Sequence, residues 1–139
     1  GEAAARADAA RGEALRWSAA VQRHFGALEQ GQWATGDAAR AHFAGLGANL
    51  DAVGAEASLR AMLAVAVVKA PTDRGRFDAL VLEELGRRLT DKQAVLQSMQ
   101  EELAADAAAR EAEVEAAMAT LAAAQRDGAD ALGGPDGGG

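Results

Sequence analysis

A heptad-like stripe runs without a break through the first thirty residues of this 139-residue chain. Ala3, Ala7, Ala10, Ala14, Trp17, Val21, His24 and Leu28 are spaced alternately four and three apart. That spacing lines one helix edge. The edge begins as bare methyl groups and ends in bulky ones, so it predicts close helix contact at one end and a wider core at the other. The fold class that follows is all-α: an elongated antiparallel bundle of three to four long helices with coiled-coil-like packing.

The rest of the chain is read in the same way. Helix one spans about 2–30 and closes at the Gly31–Gly36 turn. Helix two spans about 37–70, with Thr35 or Asp37 placed to cap it, and a possible break near 54–58 at Gly54 and Ser58. Pro71 ends it, because the residue before a proline disfavours the α region. The third and longest helix runs over about 73–126. Two features suggest a break near 86–90: Gly86, and the run Thr90-Asp91-Lys92-Gln93, which has capping-box spacing. Residues 1–126 thus form one helical domain. Residues 127–139, rich in Gly, read as a flexible tail.

Composition tempers this picture. Alanine accounts for 39 residues, while Leu, Val, Met, Phe and Trp together number 30. Alanine ranks first in helix propensity but buries little area, so a thin core is expected. There is no Ile or Tyr, and Arg outnumbers Lys twelve to two. That bias matches GC-rich codons, so part of the alanine content is genomic in origin.

The net charge of −7 argues against nucleic acid, which requires clustered basic charge. It also disfavours simple adsorption to an anionic membrane. No cysteine is present, which removes disulfides, thiolate nucleophiles and Cys-based zinc sites. The longest strongly apolar run, Ala61 to Val68, falls far short of the ~20 residues of a membrane span. No secretory signal is visible, and the absence of an initiating Met suggests a processed product or a fragment. A soluble protein is expected, cytoplasmic or inside an organelle if a targeting segment has been removed.

No catalytic, cofactor or metal site is predicted. His24 and His42 each precede a Phe and lack metal-ligand spacing, so both read as boundary histidines. Glu101, Glu102, Asp106, Glu111, Glu113 and Glu115 scatter around a helix and read as a solvated face. No Glu-x-x-His pair supports di-metal chemistry. Arg74, Arg76, Arg87 and Arg88 are offset by nearby acids and read as surface ion pairs, including Glu84 to Arg88 at i,i+4. Trp17 belongs to the core. Trp33, in the turn, either covers the end of the bundle or marks a partner site.

The last helix carries a second stripe: Leu96, Met99, Leu103, Ala107, Val114, Met118 and Leu121. It lapses at Arg110 and Glu111. It suits either close packing on the alanine end of helix one or docking on a partner protein or a second copy. The partner-binding candidates are therefore Trp33, Leu96, Met99, Leu103, Val114, Met118 and Leu121.

The function expected is a non-enzymatic scaffold, adaptor or subunit of a larger assembly. Two alternatives compete with it. Phe43-Ala-Gly-Leu-Gly-Ala-Asn-Leu-Asp-Ala-Val-Gly-Ala-Glu, followed by Leu59, is faintly similar to the first helix of BAR-type domains of the sorting-nexin kind. That likeness rests on no specific motif and implies a membrane-surface coat, for which the chain is short and acidic. The other is an acidic helical chaperone for a secreted partner, suggested by size and charge.

Overall fold

The computed structural model describes residues 1–133, with side chains as far as 129. The described chain is all-α, without strands. Its first helical rod comprises α1 (Glu2–Ala20), a π turn (Val21–Phe25) and α2 (Gly26–Gln30). Three short helices follow: α3 (Gly36–Gly45), α4 (Gly47–Ala52) and α5 (Ala57–Val67). A 3-10 turn at Pro71–Asp73 leads into α6 (Arg76–Gly133).

The expected first helix is present over its full length, but its stripe is re-phased. In the π turn the Gly26 N–H reaches back five residues to the Val21 carbonyl. A π turn takes up an extra residue. After Trp17, the core positions become Phe25 and Leu28, and His24 moves to the boundary. The alternating spacing had placed His24 itself on the apolar edge. The rod ends at Gly31, whose φ of 72° is the left-handed C-cap geometry.

The middle segment is more broken than a single helix with one kink. Thr35 is the cap of α3: its hydroxyl accepts the Ala38 N–H at 3.1 Å. Leu46 interrupts between α3 and α4, and Gly54 turns the chain at φ 67°. Helix α5 starts after Glu56, one residue ahead of Ser58, which takes no capping role. As a result, the segment similar to a BAR first helix lies across two helices and a turn.

The α6 helix runs unbroken for 58 residues, about 87 Å at 1.5 Å per residue. Neither Gly86 nor the Thr90–Gln93 run divides it. A Cβ on Gly86 would lie 3.3 Å from the Phe25 ring, so this glycine acts as a notch for Phe25 within a continuous helix. At its start Gly75 precedes the first turn, and the Asp78 carboxylate accepts the Gly75 N–H at 3.2 Å. This is the back-reaching half of a capping box, made by Asp78. At the other end α6 continues past residue 126 to Gly133, so the proposed tail does not begin at 127. The remainder of that tail, 134–139, lies outside the described residues.

Helix α1 and α6 run in opposite directions. Residues near Gly1 face Ala107 and Ala108, Trp17 meets Leu89, and Leu28 meets Arg74. The core gathers Leu28, Leu46, Leu63, Val67, Leu85 and Leu89, all essentially without exposure. Each such side chain contributes about 1.5–3 kcal/mol by leaving water. The Trp17 indole N–H donates to the Leu89 carbonyl at 3.1 Å, which satisfies its one polar atom in this interior. Leu96 also belongs to this core, only 4 % exposed. Among the partner-binding candidates, Leu96 has its side chain taken up by the fold.

Ion pairs decorate the start of α6. Glu84 receives Arg87 at 2.6 and 3.1 Å and Arg88 at 2.9 Å, and these bonds pull its carboxyl down to about 2. Lys69 binds Asp78 at 2.9 Å and holds that carboxyl below its ordinary value. Both groups favour the folded state while ionised, and that contribution is lost as pH falls from about 4.5 towards 2. Thermal melts between pH 6 and pH 2 should show this decline. In Glu84→Gln the acid slope should be shallower, and only modestly so because solvent screens the pair.

Gly31 provides a second test. An added Cβ there would sit 2.5 Å from Pro71 Cδ, on a backbone at positive φ. Gly31→Ala should destabilise by at least about 1–2 kcal/mol, from left-handed strain alone. Gly12→Ala should stabilise by up to about 1 kcal/mol, since it meets only the mobile end of Arg16 within α1. Urea unfolding of the two variants checks the contrast in sign.

Candidate protein-interaction surface

The second stripe divides into three parts along α6. Leu96 is in the core. Leu103 and Ala107 are half-buried. Val114, Met118 and Leu121 are 56 %, 64 % and 58 % exposed. The division follows the length of α1. The rod from Glu2 to Gln30 spans about 43 Å, half the length of α6. It starts level with residues 104–114 of α6, and α6 continues beyond it. The face of α6 that α1 covers as far as Ala107 therefore emerges as an uncovered ridge.

Met99 lies off this line. It is 47 % exposed and shares a flank with exposed Val95, one turn earlier. Among the candidates the fold thus brings together Val114, Met118 and Leu121, with Leu103 at their inner end. Met99, Leu96 and Trp33 lie apart from that group.

Where α1 and α6 meet at their alanine ends, a cleft of about 950 Å3 opens to solvent. Ala3, Ala4 and Ala7 line one wall, and Ala104, Ala107 and Ala108 the other. Val114 closes the end nearest the ridge. Methyl walls of this kind allow a helix backbone to approach closely. Glu2, Asp8, Arg110, Glu111 and Glu113 supply the polar rim. Glu101, Glu102, Asp106, Glu111, Glu113 and Glu115 are exposed, as their scatter predicts, and Asp106 engages Arg110 at 3.0 Å. Among the described residues, no group of three or more His, Cys, Asp or Glu converges as a metal site.

Trp33 takes the end-covering role. It is half-buried, packs against the core and lies under the Arg74 guanidinium, 5.6 Å from its ring centre. Arg74 was expected to form surface ion pairs, and here the structure differs. Its three nitrogens donate to the carbonyls of Ala66 (3.2 Å), Glu29 (3.0 Å) and Leu28 (2.6 Å). It thereby closes the C-terminal ends of α2 and α5 together, where free carbonyls and the helix dipole favour a cation. Burial lowers its pKa from the ordinary guanidinium value, without threatening its charge. Nothing in the local sequence around Arg74 marks this role, since two of its three partners lie 45 and 46 residues away.

Leu15, Val65, Phe77, Leu80 and Val95 are exposed apolar side chains that the sequence reading did not single out. Phe77 and Leu80 sit one helical turn apart on the first turns of α6, away from the core. Their i,i+3 spacing was available as a signal, but the neighbouring stripe at Val81, Leu82 and Leu85 is the stronger one. No helix among the described residues is long and apolar enough to cross a membrane. Comparison with protein-family models, curated proteins and solved structures returns no match.

The Arg74 clamp is testable. Arg74→Lys keeps the charge but cannot reach three carbonyls in a fixed fork or stack on Trp33. It should cost about 1.5–3 kcal/mol in urea unfolding, the range for hydrogen bonds to a charged group. The loss of Trp33 fluorescence shift should follow the same transition.

Proposed function

We propose that this chain is a non-enzymatic interaction subunit, a scaffold or adaptor, in which α6 is the docking element. The observation that carries this reading is the ridge Val114–Met118–Leu121, left bare where α6 outruns α1 and joined to the alanine cleft. Isolated exposed apolar residues are ordinary on protein surfaces. Three large ones on a single helix face, continuous with a helix-wide cleft, suit a helix laid along them. On this reading the partner helix, from another protein or a second copy, extends the packing of α1 along α6. The assembly would then be the elongated, coiled-coil-like bundle that the stripes anticipate.

Competing readings draw less support. A membrane-surface coat would put lipid against this ridge, yet Glu111, Glu113 and Glu115 crowd its inner end. Like-signed lipid headgroups would repel them. The acidic-chaperone reading shares the same ridge and differs only in the identity of the partner. An enzymatic reading would have to use the alanine cleft, whose walls offer methyl groups where chemistry needs reactive ones.

The double variant Met118→Asp/Leu121→Asp tests the proposal. Both side chains are exposed, so stability should change by no more than about 0.5 kcal/mol, with helicity retained. Association should be lost, whether seen as self-association in sedimentation velocity or as retention of one stoichiometric partner from the native source. Leu96→Asp serves as the contrast and should unfold the chain by burying an unpaired charge. Undiminished association by a folded double variant would sink the reading.

A further inference from the structure

We infer that the His24–His42 pair is a proton-operated latch: one shared proton holds α3 against the π turn, and a second proton releases it. The two rings meet across the molecule, from the first helical rod and from α3, with their Nδ1 atoms 3.1 Å apart. Imidazole nitrogens at this distance require one to donate and the other to accept. When both rings are protonated, both nitrogens are donors and the bond cannot exist. Contact is then replaced by repulsion between two cations in a half-buried site.

The two nitrogens are placed for a hydrogen bond. Ring centres lie 5.3 Å apart, and the excess over the nitrogen separation is close to the two ring radii. The nitrogens therefore lie nearly on the line joining the rings, as a hydrogen bond prefers.

The site is built to hold the rings in this pose. The π turn swings His24 out of the core edge and towards α3. A Cβ on Gly45 would lie 2.6 Å from the His24 ring, so the imidazole rests directly against the α3 backbone. The charged or titratable groups acting on His24 are His42 opposite and Arg23 on its own turn. Burial, the facing ring and Arg23 all disfavour its charged form, and no carboxylate on a packed element offsets them. On α3 itself, Asp37 is engaged by Arg40. For a histidine held below its ordinary value of 6.5, the folded state binds fewer protons than the unfolded one. The contribution is therefore complete above that pH and is lost as pH falls through it.

Helix α3 is weakly anchored. Ala39 is its one buried residue among ten, and Phe43 is only partly covered. Low-stability elements open locally before the whole domain does.

Proton NMR of the two rings in the full chain, read from pH 8 to pH 5 alongside amide exchange, tests the latch. Two separated ring titration steps are expected, as coupled sites require. Over the same interval, α3 amides should lose protection relative to α5 amides. The selective loss should be about tenfold for each pKa unit by which the second proton is disfavoured. His42→Asn keeps a hydrogen-bonding group for His24 without a second charge, and should reduce the selective loss to the part that burial and Arg23 account for. Independent single-step titrations of both rings near the ordinary value would overturn the inference, whatever the variant does. So would an equal selective loss in His42→Asn.

Discussion

Everything else in the fold rests on the opposed seating of the first helical rod on α6. That contact is graded along its length. Near Leu28 and Leu85 it is a core of fully buried leucines supported from the other side by α5. Midway, Trp17 fixes the axial register through its bond to the Leu89 carbonyl. At the far end only alanines face each other, and the contact opens into a cleft. Burial of apolar area scales with side-chain size, so stabilisation falls steadily from the Trp33 end to the Gly1 end. The Arg74 clamp sits at the strong end, where it ties the carbonyl termini of α2 and α5 to the start of α6.

Periodicity made the long helices legible, because a helix buries one edge and an alternating spacing of four and three marks that edge directly. Thr35 as a cap and Pro71 as a stop were likewise local signals, readable within four residues. What periodicity misread was the meaning of glycine. Gly86 looked like a break, since an isolated helix pays for glycine in backbone entropy. In the folded chain it faces the Phe25 ring, and the packing overrides the propensity. Gly45 does the same for His24. Such notches depend on which helix lies opposite, and that information is spread over the whole chain.

The π turn explains a second class of error. A strict alternation places Val21, His24 and Leu28 on one edge, whereas the extra residue in the turn advances the buried position to Phe25. One residue of slip exchanges an aromatic core anchor for a titratable boundary group. On the page of sequence, His24-Phe25 allows either choice. The packing selects Phe25 because a phenyl ring gains by burial and an imidazole must find a polar partner. His42 supplies that partner.

The distal half of α6 shows how a helix can persist without a tertiary partner. Its sequence is mostly alanine and charged residues, which are strong helix formers. Asp106 and Arg110 pair across one turn, and the Thr120 hydroxyl bonds back to the Ala116 carbonyl. Propensity and the Asp106–Arg110 pair thus maintain the helix without occupying the apolar ridge. Had this segment carried leucines at the cleft as well, α1 would have closed on it tightly, and the ridge alone would remain for contact. Alanine at the cleft and Val114, Met118 and Leu121 beyond it separate two tasks along one helix: the near face is shaped for close approach, and the far face supplies area. The directional groups lining the cleft are the charged residues of its rim, and its walls are methyl groups.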